Sequence, residues 1–398
     1  MFENRDGSLP FSRWWLVVLS ALVMGAAGTY QFVWSSIRPA VSATLGVPET
    51  GLGIAFTGFI VAQALVQLPA GRVRDRRGPA LPLFVGGVAV TAGYVAVAFA
   101  SDTVGVTAAY VLGGVGSGIV YSAAISTPVK WFDERRGLAT GVVSMAYGGV
   151  SGLLIPSVRT GLDSGFRPTL LALGVGAGLA CIVAAPILRD PKRGEEPKRA
   201  ATDADAYGWR ETVRTWQFWV LYGVFVAINA AGLMFIGKVV SFAAALNLPP
   251  SAGTGAASAI ALADSAGIVA VGAVSDRLGG ERTITATLAV CALSLAAGVW
   301  AGTAGIAAGF VVGIAGAAFF RAPVFAIVPG LIGTYYGTER SAENYAALYT
   351  AKIWGGVGGG VVASALIGLT DWTTAFLASA ALVGLASVAS LFIRPVER

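Results

Sequence analysis

Not one of the 398 residues is a histidine, only 12% are charged, and just two are cysteines. Without histidine there is no imidazole general base, no imidazole proton relay and no imidazole ligand for zinc. Cys181 and Cys291 both lie inside apolar runs, which argues against a disulfide framework or a thiolate metal site. A soluble domain carries about a quarter charged residues. Half that share, beside 56% apolar residues, leaves too little polar surface to face water. Disordered and collagen-like chains fail on the same numbers. No histidine, cysteine or paired-carboxylate constellation suggests an enzyme. The segment Gly232–Val239 comes close to a phosphate-cradling loop, but its last position is Val239 where a hydroxyl is needed. No cofactor is expected. What remains is a multi-spanning membrane protein.

A span needs about 20 mostly apolar residues to cross about 30 Å of hydrocarbon. Such runs fall near 14–37, 51–70, 79–100, 104–128, 137–158 and 167–188, then near 217–243, 252–275, 282–301, 304–332, 342–368 and 372–393. The predicted fold is all-α, with twelve transmembrane helices in two six-helix bundles. The expected domains are 1–188 and 216–398, joined by a polar linker over 189–215. The first run is too long for a signal-peptide core and reads as a helix. Lys and Arg set the orientation. With the N-terminus cytoplasmic, only Arg38, Arg159 and Arg167 fall outside and only Lys238, Arg321 and Lys352 fall within spans; the rest of the 27 lie inside. Both termini are therefore expected in the cytoplasm of a cell with this protein in its plasma or inner membrane. The net charge of +6 is then a topology signal, and no nucleic-acid partner is expected.

The halves repeat at an offset of just over 200 residues. Gly71-Arg-Val-Arg-Asp75-Arg76-Arg77-Gly78 answers Gly272-Ala-Val-Ser-Asp276-Arg277-Leu-Gly279, and Gly25-Ala-Ala-Gly28 answers Asn229-Ala-Ala-Gly232. Six spans per half give both copies one orientation, a parallel repeat; substrate sites of such transporters are expected near mid-membrane. The Gly-x-x-x-Asp-Arg-x-Gly segments resemble the signature loops of the major facilitator superfamily. Val129–Gly141 and Leu348-Tyr-Thr-Ala-Lys352 resemble the oxalate–formate antiporter and monocarboxylate transporter group within it. The resemblance implies a twelve-helix transporter of small organic anions. It also implies a substrate-binding role for Lys352, and cavity-lining roles for Tyr30, Gln31 and Trp34 on span 1 and Tyr121 on span 4. Relatives commonly carry an arginine on helix 8 where this chain has Ile268. Gly71, Asp75, Arg76, Arg77, Gly78, Asp276 and Arg277 of the signature segments, with Arg136 of the loop after span 4, are expected to form a conformational latch of carboxylate–guanidinium pairs.

Charge within a span costs a few kcal/mol or more, so it marks function. Lys352 lies roughly 15 Å deep at 1.5 Å per residue; it reads as a substrate ligand or as a structural partner of Asp264. Asp264, the single deep acid, reads as a counter-ion to Lys352 or Arg321, or as a proton carrier. Arg321, beside Pro323, either supplies the missing guanidinium, snorkels toward the inner surface or braces a broken helix. Lys238 is expected to snorkel toward the outer surface, or to join the site. The deep charge is net positive and favours an anion. The expected function is secondary transport of mono- or dicarboxylates by anion exchange. The alternatives are a proton-coupled monocarboxylate symporter and, from another class, a non-transporting membrane sensor. Small organic anions, protons and the lipid bilayer are the expected partners, with one chain sufficient.

Overall fold

The computed structural model describes residues 12–132, 136–191, 207–337 and 340–396. Most of the expected linker lies outside them. The fold is all-helical, and among the described residues twelve helices are long and apolar enough to cross a membrane. They are, in order, Trp14–Phe32, Glu49–Arg74, Ala80–Phe99, Thr103–Thr127, Leu138–Ser164 and Phe166–Ala184, then Trp216–Ala245, Pro250–Ala270, Gly280–Thr303, Ala307–Tyr336, Glu343–Leu369 and Trp372–Ser390. We number them spans 1 to 12. Continuous apolar sequence makes them helices, because in hydrocarbon only a helix or a closed barrel satisfies every backbone amide.

Local signals set the helix ends. Thr215 caps span 7 by accepting from the Phe218 amide, and Asp371 caps span 12 by accepting from Thr374 N at 2.9 Å. Pro250 opens span 8, where its missing N–H costs nothing. The signature segments are helical, not loops. Helix Gly53–Arg77 runs through Asp75 to Arg77, and helix Pro250–Leu278 runs through Asp276 and Arg277. Gly78 and Gly279 end them at φ +77° and +87°, a conformation that side chains resist. The side chains of Asp75, Arg136, Asp276 and Arg277 lie outside those described, so the expected latch pairs go undescribed with them.

The chain divides into two compact units, Met1–Val47 with Gly58–Arg199, and Pro48–Thr57 with Ala200–Arg398. Within the first, span 3 packs on spans 4 and 6, and span 1 on spans 4, 5 and 6. Within the second, span 9 packs on spans 10 and 12, and span 7 on spans 8, 11 and 12. The pairings 3 with 4, 3 with 6, 1 with 5 and 1 with 6 thus recur as 9 with 10, 9 with 12, 7 with 11 and 7 with 12. This is the duplication seen in the sequence, expressed as packing.

Close approach at small residues supports these contacts. A Cβ at Gly28 would sit 1.8 Å from the Tyr147 carbonyl oxygen, so span 1 meets span 5 backbone to backbone with no room between. Gly298 and Gly313 bring spans 9 and 10 together in the same way. Cys181 and Cys291 are both buried, and the Cys291 thiol lies 3.1 Å from the Ala317 carbonyl, bridging spans 9 and 10.

Candidate functional site

Span 10 is broken. Helix Ala307–Arg321 stops, Ala322 and Pro323 intervene, and a second helix begins at Val324. Pro323 lacks an amide hydrogen and cannot continue the ladder. Arg321 therefore stands in the last turn of a helix, where the carbonyl dipoles favour a cation. It is 3% exposed. Its Nη2 pairs with Asp264 Oδ1 of span 8 at 2.5 Å. The guanidinium lies 5.2 Å from the Phe325 ring and 5.8 Å from that of Phe235. Gly232 of span 7 makes room for it: a Cβ there would lie 2.7 Å from Arg321 Nε. Nε is buried with no hydrogen-bond acceptor. The pair consumes one edge of the guanidinium and leaves donors on the others. Of the two counter-ion roles open to Asp264, the geometry makes it the partner of Arg321.

Lys352 of span 11 is buried at 6% exposure, with its ammonium 5.7 Å from the Tyr349 ring. Span 11 lies against span 7 here; a Cβ at Gly355 would come within 2.2 Å of Asn229 Cβ. Ile268, half-buried one turn after Asp264, offers no charge. Among the four deep ionisable groups, Arg321 and Asp264 are thus joined directly.

Lys238 does not snorkel. It is 1% exposed, and its Nζ donates to the carbonyls of Gly359 and Gly360 at 3.2 and 3.3 Å. Those carbonyls lie in a π-helical turn, Gly358–Val362. Position along the chain sets its depth but not its azimuth, and the azimuth carries it into span 11 rather than toward the surface.

In the first unit, Tyr30 of span 1 lies in the bundle interior. It is fully buried, and its hydroxyl donates to the Val90 carbonyl at 3.0 Å. Its ring stacks on Phe59 at 5.8 Å and fills the space left by Gly93 and Gly113. It is packed as a key in the bundle core. Trp34 follows a break at Val33 and packs 4.2 Å from the Tyr110 ring. Tyr30 and Trp34 do share a face, but that face meets span 4.

Gln31, by contrast, belongs to a polar cluster. Its Oε1 accepts from the Tyr147 hydroxyl at 3.1 Å, which in turn accepts from Gln63 Nε2 at 2.7 Å. Gln63 also donates to Ser117 Oγ at 3.0 Å, and Ser117 donates its own proton to the Ala27 carbonyl. Tyr121 meets the Tyr147 ring edge-on at 5.5 Å. Gln63, Ser117 and Tyr147 are not among the residues singled out from the sequence; an uncharged amide alone in an apolar run is the signal that points to them. No group of three or more His, Cys, Asp or Glu able to hold a metal occurs among the described residues.

A duplicated set of six spans, with charge buried at depth in the second set, defines a helical membrane carrier. The chain belongs to the Major Facilitator Superfamily, whose model matches residues 16–319. It is 31% identical over 395 residues to the oxalate:formate antiporter of Oxalobacter formigenes, covering 98% of this chain and 94% of that one. A stretch of 125 residues, 30% of this chain and 26% of the other, is 37% identical to human monocarboxylate transporter 11. The fold is shared with the crystal structure of the nucleoside transporter NupG at a TM-score of 0.74 and 12% identity, over 95% of this chain and 99% of that one.

Proposed function

We propose that this transporter exchanges small carboxylates across the membrane, with Lys352 and Arg321 as the groups that bind the carboxylate. The observation that carries the reading is the cationic cluster of the second unit. Two basic side chains are buried at mid-span beside a single carboxylate, which leaves a net positive charge at depth. Such a charge favours a small anion over a neutral or cationic solute. The full-length likeness to a protein named for oxalate and formate exchange supports the same substrate class. The guanidinium contributes planar, paired donors suited to a carboxylate, and the ammonium contributes a point charge. We place both termini in the cytoplasm on the distribution of Lys and Arg.

The second reading is proton-coupled uptake of a monocarboxylate, with Asp264 loading the proton. A lone acid within a span and the likeness to a monocarboxylate transporter favour it. The test is counterflow in proteoliposomes against a panel of oxalate, formate, lactate and pyruvate. Lys352→Gln keeps most of the side-chain length and removes the charge. A hydrogen bond to a charged group is worth about 1.5–3 kcal/mol, so affinity should fall on the order of 10- to 150-fold. A folded Lys352→Gln protein with unchanged affinity for the transported anion removes Lys352 from the site.

A further inference from the structure

Span 11 is not a uniform helix. Ala351–Val357 is α-helical, Gly358–Val362 makes one π turn, and Ala363–Leu369 is α-helical again. A π turn bonds i to i+5 and in effect inserts one residue. At 3.6 residues per turn, that rotates the helix before it by about 100° against the helix after it. Lys352 lies six residues ahead of the turn. The face on which it is presented is therefore a consequence of whether the turn is π or α.

Three features of the second unit bear on the turn. Gly358 and Gly359 lie flush on span 7, where added Cβ atoms would come 2.8 Å from Ala230 Cβ and 2.7 Å from the Ala230 carbonyl oxygen and the Met234 amide. Thr57 donates to the Gly356 carbonyl at 3.0 Å and accepts from the Val361 amide at 3.1 Å. Lys238 enters from span 7 and donates to the Gly359 and Gly360 carbonyls, inside the turn itself. Every backbone carbonyl has a second lone pair, so each can take this donor besides its helical one. An ammonium buried in a span is costly unless such oxygens receive it.

We propose that Lys238 is a positioning residue: by donating into the Gly359 and Gly360 carbonyls it holds the π turn of span 11 and so sets the face on which Lys352 is presented. Its functional consequence rests on the reading of Lys352 as the substrate ligand; the rotational setting itself does not. An arginine at 238 retains donors long enough to reach the carbonyls, whereas a methionine fills similar space with none.

The experiment uses the full chain in liposomes, with Cys181 and Cys291 replaced by alanine and a nitroxide placed in turn at 350, 353, 354 and 357. In the parent, oxygen accessibility should peak at 354, where Trp354 is 59% exposed between less exposed neighbours. Lys238→Met should move the peak one residue along the chain, and Lys238→Arg should leave it at 354. A folded Lys238→Met protein with the parent pattern overturns the proposal, as does an arginine variant shifted as far as the methionine one. Should Lys238→Met fail to fold, Lys238→Gln, whose amide stops one bond short, replaces it with the same expected shift and the same overturning result. Binding of oxalate and formate is measured on the same proteins. Lys238→Met should weaken it about as much as Lys352→Gln does. A shifted peak with unchanged affinity upholds the positioning role and removes Lys352 from the substrate site.

Discussion

At the scale of single residues, the site depends on atoms that are missing as much as on those present. Gly232 carries no side chain, and the Arg321 guanidinium occupies the space a Cβ would take. Gly232→Ala must therefore displace Arg321 from Asp264 or spread spans 7 and 10. Overpacking of this kind costs about 1–3 kcal/mol. The expected outcome is a lower melting temperature in detergent together with weaker anion binding, whereas Gly223→Ala, at an open position on the same span, should leave both unchanged. Asp371 makes a different prediction, one of pH. Hydrogen bonds from the side chain and backbone of Thr374 hold its carboxyl below the usual carboxylate range. A depressed folded pKa gives stability that is present above the unfolded value and lost as pH falls through the folded one. Asp371→Ala should thus lower the melting temperature at neutral pH. The difference from the parent should shrink as pH falls below the usual carboxylate range and the cap of the parent protonates. A constant difference across that fall in pH would show that the charge of the cap contributes nothing.

At the scale of helices, the contacts are fixed by backbone proximity. A methyl group at Gly28 would lie 1.8 Å from the Tyr147 carbonyl oxygen, and a backbone atom cannot swing aside. Gly28→Ala should cost at or above the upper end of about 1–3 kcal/mol. It should also disturb the Gln31–Tyr147–Gln63 cluster, a loss that thermal denaturation would report. How much of this is legible in the sequence differs by element. Twelve spans and the duplication are readable, because apolar length and repeated Gly-Asp-Arg segments leave few other solutions in lipid. The break at Arg321 is half-readable from Pro323. The π turn is not: Gly358-Gly359-Gly360 permits it, but what selects it is Lys238 and Thr57 arriving from elsewhere in the chain. Tyr30 obeys a related rule. A spacing of four fixes a shared helix face, yet only the neighbours decide whether that face meets span 4 or open space. Asp190 reads as linker, but it pairs with fully buried Arg74 at 2.8 Å and with Lys130 at 2.8 Å, fastening the chain after span 6 to the ends of spans 2 and 4.

At the scale of the whole transporter, charge decides what the empty carrier can do. Asp264 pairs with Arg321, and Lys352 and Lys238 are buried in the same unit. Moving charge through a low-dielectric medium is costly. Under the exchange proposed above, return with a bound anion would lower that cost. Asp264→Asn distinguishes the mechanisms. Under exchange, swapping of labelled for unlabelled substrate persists with altered affinity, and the parent shows no substrate-driven acidification of proteoliposomes. Substrate-driven proton entry in the parent, lost in Asp264→Asn, would instead establish symport. The same molecule has a further property that follows from the placement of its sulfur atoms. Cys181 and Cys291 are sealed within helix packing, the latter against the Ala317 carbonyl. Organomercurials and maleimides, the common poisons of membrane carriers, have no thiol to reach while the helices stay closed. Inhibition by either reagent would therefore time an opening of span 6 or span 9 during the transport cycle.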